Sequence, residues 1–353
     1  MTVSPPPSFS IAGRKVGAQH PPFVVAELSG NHNGDLGRAL ALIDAAAATG
    51  ADAIKIQTYT PNTITIRSDR PEFRISQGPW AGRTLHDLYA EAHTPYEWHE
   101  ALFARAADHG ITLFSSPFDE TAVELLAGLD APAYKVASFE IVDLPLIARI
   151  AREGRPMIIA TGMASLGEIG DAVATAREAG SPDIALLHCT SAYPAPISEA
   201  NVTTIPHLGA AFGCVAGLSD HTPGVTAAIA AVALGAAIIE KHMTLSRTDG
   251  GPDAGFSLEP GEFAALVGGC RDAWSALGRI EYETLGVEAG NLEFRRSLCV
   301  VQPIRAGEVL TTVNVRSIRP GHGLPPKHLP TVLGRRARRD LAVGEPLGWV
   351  DIA

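Results

Sequence analysis

The chain has 353 residues, 46% hydrophobic and 19% charged, with a formal net charge of −10. That much apolar mass excludes a disordered chain, and the length suits a β/α barrel of about 250 residues with a small domain appended. The charge is uneven: from Gly290 onward there are ten Lys/Arg against five Asp/Glu, whereas 18 basic and 33 acidic residues precede it. The basic tail carries no aromatic stacking set and no nucleic-acid module. Its expected role is to supply cations to an anionic ligand or to the acidic body, with no nucleic-acid partner. The longest nearly pure apolar run, residues 227–239, is 13 residues long. A membrane helix needs ~20, so no membrane partner is expected. Residues 1–17 hold no apolar segment of the signal-peptide kind. Cys189, Cys214, Cys270 and Cys299 form no CxxC pair, which points to a reducing, cytoplasmic setting.

Eight short β-branched runs follow in order: VVAEL (24–28), AIKIQTY (53–59), ITLFSSPF (111–118), AYKVAS (133–138), PMIIATG (156–162), IALLHC (184–189), VAGLSDH (215–221) and AIIEKHM (237–243). The segments after them, 36–49, 95–109, 120–128, 144–152, 166–179, 202–208, 225–234 and 260–277, have helical patterning. Runs that are apolar on both faces and separated by helices predict a parallel sheet. Eight such units in about 250 residues predict a closed (β/α)8 TIM barrel over 1–278. No GxGxxG follows the first run, which argues against dinucleotide binding. The connection 59–95 is too long for a simple turn and predicts a lid or binding loop on the catalytic face. Residues 279–292 have little apolar patterning and predict a linker. Residues 293–353 alternate short strands with Gly and Pro turns and predict a small all-β domain.

Catalytic residues of such barrels gather at the strand C-termini. Only five lysines occur in the chain, and three of them, Lys55, Lys135 and Lys241, fall inside predicted core strands. A buried lysine is costly unless paired. Converging lysines and hydroxyls would bind phosphate or carboxylate, the alternative being a buried ion pair such as Lys55 with Glu27. A Schiff-base lysine is a further chemical reading, although three candidates favour electrostatics. His221 and His242 end adjacent strands and can share a divalent ion, unless each is a hydrogen-bonded structural group. Glu240 lies two residues before His242 and therefore points the same way. His32, between Asn31 and Asn33, is equally consistent with a turn.

These residues stand in motifs. VAELSGNHNG, GADAIKIQTYTP, LFSSPFDETAVELL, YKVASFEI, IIATGM, LLHCTSAYPAP, GLSDHTPG and GAAIIEKHMTL resemble the sialic acid synthase family. RRSLCVVQPIRAGEVLTTVNVRSIRPGHGLPP resembles its antifreeze-like (SAF) domain, a small all-β fold of the β-clip kind. The resemblance covers about residues 22–353. It implies condensation of phosphoenolpyruvate with an open-chain N-acylated amino sugar, giving a nine-carbon α-keto acid and phosphate. It further implies Glu27 as the catalytic carboxylate and His221 and His242 as ligands of a divalent metal, Mn²⁺ before Mg²⁺ or Co²⁺. Lys55, Ser116, Lys135, Ser138, Ser191 and Ser219 are implied to bind phosphoenolpyruvate, and Gln57, Tyr193 and Asp253 to lie near the sugar. Arg319 of RPGHG resembles an arginine inserted into the partner's barrel of a domain-swapped homodimer. The loop EFRISQGPWAGRTLHDLYAEAHTPYEWH, ASFEI and RTDGGPDAGFSL resemble the pseudaminic acid branch, with Trp80 and Phe73 as candidates to meet a 6-deoxy methyl group. Ala160 and Met163-Ala164 depart from that pattern, which keeps sialic and legionaminic acceptors as alternatives. An aldolase or a non-catalytic binding protein are the readings outside the family.

Overall fold

Residues 7–181 and 183–353 are described by the computed structural model of the chain, so the first residues read for a leader lie outside it. The chain divides into two units, Met1–Gly278 and Arg279–Ala353. The first opens with an antiparallel hairpin, β1 (Phe9–Ile11) and β2 (Arg14–Val16), which the sequence reading did not anticipate. Its eight parallel strands are β3 (Phe23–Glu27), β4 (Ala53–Thr58), β5 (Thr112–Pro117), β6 (Tyr134–Val136), β7 (Met157–Ala160), β8 (Ile184–Cys189), β9 (Val215–Asp220) and β10 (Ile238–His242). They close into a barrel, with β10 pairing both β9 and β3. The predicted barrel is therefore present.

Alternation along each strand sorts the side chains. Val24, Ala26, Ile54, Leu113 and Ile239 face outward into the helical layer. Phe23, Val25, Phe114, Ile158, Leu187 and Ile238 face inward at the N-terminal end of the barrel. Phe9, Ile11 and Val16 of the hairpin join that inner cluster and plug the barrel floor. The floor is sealed with apolar groups, so open polar positions remain only at the opposite, C-terminal end. On β9, Gly217 is required by space, because a Cβ there would come within 2.3 Å of the Ile238 carbonyl oxygen.

Several boundaries shift. The expected helix 95–109 begins as a 3-10 turn, Tyr96–Trp98, and continues as His99–Asp108. The expected helix 202–208 is Thr204–Phe212. Strand β6 is cut to three residues because the chain turns at once into the 3-10 segment Ser138–Glu140. The long connection is ordered: it holds a helix, Leu85–Ala92, whose cap Thr84 accepts the Asp87 amide and bridges to Arg74. In the second unit, β11 (Ser297–Val300) and β12 (Val315–Ile318) form one antiparallel pair. Isolated bridges replace the other expected strands there. Leu298, Val300, Leu310, Val315 and Leu347 form its core.

Lys241 does not face the barrel mouth with Lys55 and Lys135. It lies one position out of phase with Glu240 and His242 and pairs on the outer face with Asp220, Nζ to Oδ2 at 2.6 Å. Asp220 Oδ1 accepts the Thr222 amide and hydroxyl, both at 2.8 Å, and Lys241 also donates to the Thr222 carbonyl at 2.5 Å. Both side chains are 1% exposed, so the cage ties the ends of β9 and β10 together away from solvent. Lys241→Met is expected to leave a buried uncompensated carboxylate and lower stability by about 3–5 kcal/mol in urea unfolding. Asp220→Asn added to Lys241→Met is expected to recover part of that loss, and equal stability of Lys241→Met and wild type would contradict the cage.

Candidate active site

The C-terminal end of the barrel interior is lined by Glu27, Lys55, Gln57, Ser116, Lys135, Ser219, Glu240 and His242, each on the inner parity of its strand. Two ammonium groups and two carboxylates alternate there. Lys55 Nζ lies 2.6 Å from Glu27 Oε2 and 3.6 Å from Glu240 Oε1. Lys135 Nζ lies 3.5 Å from the same Glu240 oxygen. Gln57 donates to Glu27 Oε1 at 2.9 Å, Lys55 to Ser116 Oγ at 3.1 Å, and Ser219 to Glu240 Oε1 at 3.2 Å. The Lys55–Glu27 pair that stood as the alternative to ligand binding is thus present. It sits inside a larger network, and Gln57 is engaged with Glu27.

Burial pushes the Glu27 carboxyl up, with Lys55 opposing and Glu240 reinforcing the rise. Burial works the same way on Glu240, but Lys135 and Lys55 outweigh it and hold that carboxyl low. For Lys55, burial is overcome by Glu240 and Glu27, and its pKa rises, whereas burial dominates at Lys135 and lowers it. Glu240 Oε2 is buried without a partner, whereas Glu27 Oε2 is met by the Lys55 ammonium. Groups this dry and under-satisfied mark a site built for a ligand.

A second cluster stands beside the lysines. Ser138 Oγ accepts the Gly162 amide at 3.2 Å. A Cβ on Gly162 would fall 2.2 Å from Ser191 Oγ and 2.7 Å from Ser138 Oγ, so only glycine leaves this hydroxyl-lined hollow open. Glu140, two residues past Ser138, was not singled out as a site residue. Its Oε2 is buried without a partner, and burial pushes its carboxyl up to about 7. Only its place in the ASFEI motif signalled it.

His221 and His242 follow Asp220 and Lys241, and their rings are 5.3 Å apart, centroid to centroid. His221 Nδ1 meets the Thr190 carbonyl at 3.1 Å, and His242 Nδ1 meets Ser29 Oγ at 3.2 Å. Among the described residues neither Nε2 atom has a hydrogen-bond partner, as a pair of metal ligands requires. Among the described residues no three His, Cys, Asp or Glu side chains converge on a common metal position. The set fits an open site, with two imidazoles as ligands and oxygen donors from water or substrate, and does not fit a closed structural site. Cys189, also on the inner face, reaches His221 Nδ1 at 3.7 Å; burial raises its thiol, but His221 together with the Ser138 and Ser191 hydroxyls brings it down to about 7. His32 is a packed group: its ring meets Trp98 edge-on and Nδ1 accepts the Gly34 amide.

The lid closes over these histidines. Tyr193 lies 4.3 Å from His221 between ring centroids, and Trp80 lies 5.6 Å from Tyr193. Trp80 Nε1 donates to the Pro252 carbonyl at 2.8 Å, which straps the lid to the loop after β10. Phe256, missed in the sequence because it lies in an irregular loop, completes the group at 5.0 Å from His242. Phe73 makes no ring contact with it among the described residues. Asp253 is anchored by the Gly30 amide at 3.2 Å, and burial raises its carboxyl. Arg319 is exposed on the second unit.

Comparison with known proteins places this geometry. Residues 42–282 match the NeuB family and residues 295–353 match the SAF domain. The chain is 44% identical over 325 residues to pseudaminic acid synthase of Campylobacter jejuni strain NCTC 11168, covering 92% of this chain and 95% of that protein. It is 35% identical over 322 residues to N,N'-diacetyllegionaminic acid synthase of the same strain, covering 90% and 96%. A crystal structure of N-acetylneuraminic acid synthetase from Leptospira borgpetersenii, in complex with citrate, superposes with a TM-score of 0.73 at 33% identity, covering 82% of this chain and 96% of that one. Matched almost from end to end by relatives of this kind, the chain belongs to the NeuB family, its barrel followed by a SAF domain.

Proposed function

We propose that the protein is a transferase that condenses phosphoenolpyruvate with 2,4-diacetamido-2,4,6-trideoxy-L-altrose, forming pseudaminic acid and phosphate. The observation that carries this reading is the 44% identity to a pseudaminic acid synthase, against 35% to the legionaminic enzyme of the same strain. The site chemistry agrees with it. Phosphoenolpyruvate carries a phosphate and a carboxylate. Lys135, Ser138, Ser191 and the Gly162 amide suit the phosphate, and Lys55, Ser116 and Ser219 suit the carboxylate. Without ligand, Glu240 stands between both ammonium groups as their counter-charge.

In this reading C3 of phosphoenolpyruvate attacks the sugar aldehyde carbon. Water then adds at C2, and the tetrahedral intermediate expels phosphate by cleavage of the C–O bond. Glu27, held by Gln57 and Lys55 with its carboxyl raised by burial, moves the protons. His221 and His242 would hold a divalent ion, Mn²⁺ before Mg²⁺ or Co²⁺, which when bound polarises the aldehyde oxygen and orders a water. Tyr193, Asp253 and the Trp80 lid enclose the sugar side and exclude bulk water. Arg319 serves the barrel of a partner subunit in a domain-swapped homodimer. Its exposure and the basic charge of the second unit, opposite to the acidic body, support that role. The four cysteines, all free and buried, support a cytoplasmic setting.

The deciding assay is phosphate release from phosphoenolpyruvate with Mn²⁺ and one of two acceptors. Release with the altrose sugar and not with N-acetylmannosamine, abolished by chelation, is the expected result; release with N-acetylmannosamine alone would overturn the acceptor assignment. Glu27→Gln is expected to lose at least ~100-fold in kcat while still binding phosphoenolpyruvate, and near-normal turnover would remove Glu27 from the proton-transfer role. Complementation tests the swap. Arg319→Ala and Glu27→Gln are each expected to be inactive alone. Mixed after subunit exchange, they regain activity only if one subunit's Arg319 serves the other's intact barrel.

A further inference from the structure

The 3-10 turn Ser29–His32, which follows β3, is joined at several points to the loop after β10. Asn33 Nδ2 donates to the Gly250 carbonyl at 3.2 Å. Arg38 donates to the Asn31 carbonyl at 2.8 Å and to Asp249 Oδ2 at 2.6 Å. Gly30 lies so close to that loop that a Cβ on it would fall 2.7 Å from Pro252 Cγ. At the centre stands the side chain of Asn31, a fully buried residue to which the reaction assigns no task. Its Nδ2 donates to the Met243 carbonyl at 2.9 Å and to Ser257 Oγ at 2.9 Å. Ser257, also buried, donates in turn to the Asp253 carbonyl at 2.6 Å. Asn31 Oδ1 is buried without a partner.

We propose that Asn31 is a positioning residue that, through Ser257, holds the turn carrying Asp253 and Phe256 in place on the sugar side of the site. Each proton in the chain is placed by its partner. The Met243 and Asp253 carbonyls can only accept. The Asn31 amide therefore presents its nitrogen to Met243, since the flipped amide would set oxygen against oxygen. The Ser257 hydroxyl gives its single proton to Asp253, so its oxygen accepts from Asn31. The amide nitrogen has two protons for these two acceptors, a supply that neither a serine nor a carboxylate has. One side chain thus grips the backbone one residue past His242 and, through Ser257, closes the turn 253–257 around the 3-10 segment Ala254–Phe256. The neighbouring Gly30 amide holds the Asp253 carboxylate at 3.2 Å. The short turn after β3 therefore fixes Asp253 twice, at its carboxylate directly and at its carbonyl through Ser257. This inference rests on the reading of Asp253 and Phe256 as lining the sugar side.

Steady-state kinetics and hydrogen exchange test the positioning separately. Ser257→Ala removes one link and leaves the Asn31 bond to Met243. With the acceptor sugar that supports turnover, Ser257→Ala is expected to raise the acceptor KM about 10-fold and to leave the phosphoenolpyruvate KM within about 2-fold of wild type. Asn31→Asp keeps the shape but has at most one proton to donate, and its acceptor KM is expected to rise at least as far. Amide hydrogen exchange followed by mass spectrometry reads the loop without any substrate. In Ser257→Ala it is expected to quicken in peptides covering 244–258 and to stay unchanged in the barrel strands. Unchanged exchange in 244–258 would overturn the proposal, and so would exchange that quickens throughout the barrel with equal rises in both KM values. Faster exchange confined to 244–258 with an unchanged acceptor KM would overturn the placing of this turn at the sugar and leave the Asn31–Ser257 link standing.

Discussion

Two lysines and two glutamates buried at one end of a closed barrel are the constraint on which the rest of this site depends. None of the four is tolerable there alone, because an isolated charge in so dry a place costs several kcal/mol. Together they neutralise one another: Glu240 lies between Lys55 and Lys135, and Lys55 reaches on to Glu27. The balance is incomplete in its hydrogen bonding, since Glu240 keeps a buried oxygen, Oε2, without a partner. A site in that condition gains when a doubly anionic ligand takes over the lysines and releases Glu240 from between them. The same burial that makes the charges costly pushes the Glu27 carboxyl up.

The remaining parts keep this network dry and aligned. At the floor, the β1–β2 hairpin inserts Phe9, Ile11 and Val16 under the inner apolar layer, closing the barrel to water from that side. At the mouth, Trp80, Tyr193 and Phe256 form an aromatic cover over the two histidines, and one indole hydrogen bond fastens the cover to the loop after β10. On the outer face, Asp220, Thr222 and Lys241 lock the strand ends from which His221 and His242 project. Lys241 therefore belongs to the frame of the site.

The second unit has a different physical character. Its sheet is one short strand pair plus isolated bridges, around a small apolar core. Its excess of arginine over acidic residues opposes the charge of the body. An excess of basic charge on this unit favours its association with anions and disfavours association of like units.

The barrel and the order of its motifs were legible in the sequence, because a parallel strand buried on both faces leaves a continuous apolar run and eight such runs leave few alternatives. The polar residues at the strand ends were legible for the same reason, as charges inside apolar runs must have a partner or a ligand. Strand parity is also readable, and it already separates Lys241 from Glu240 and His242. What only the tertiary structure decided lies in the loops and in side chains joined across distant segments. The hairpin under the barrel, Phe256 in the cover, the buried carboxyl of Glu140 and the Ser29 hydroxyl against His242 have no period or spacing to betray them. Local sequence determines which face a side chain occupies on a regular element. Contacts between irregular segments two hundred residues apart are set by how the closed barrel brings its loop ends together.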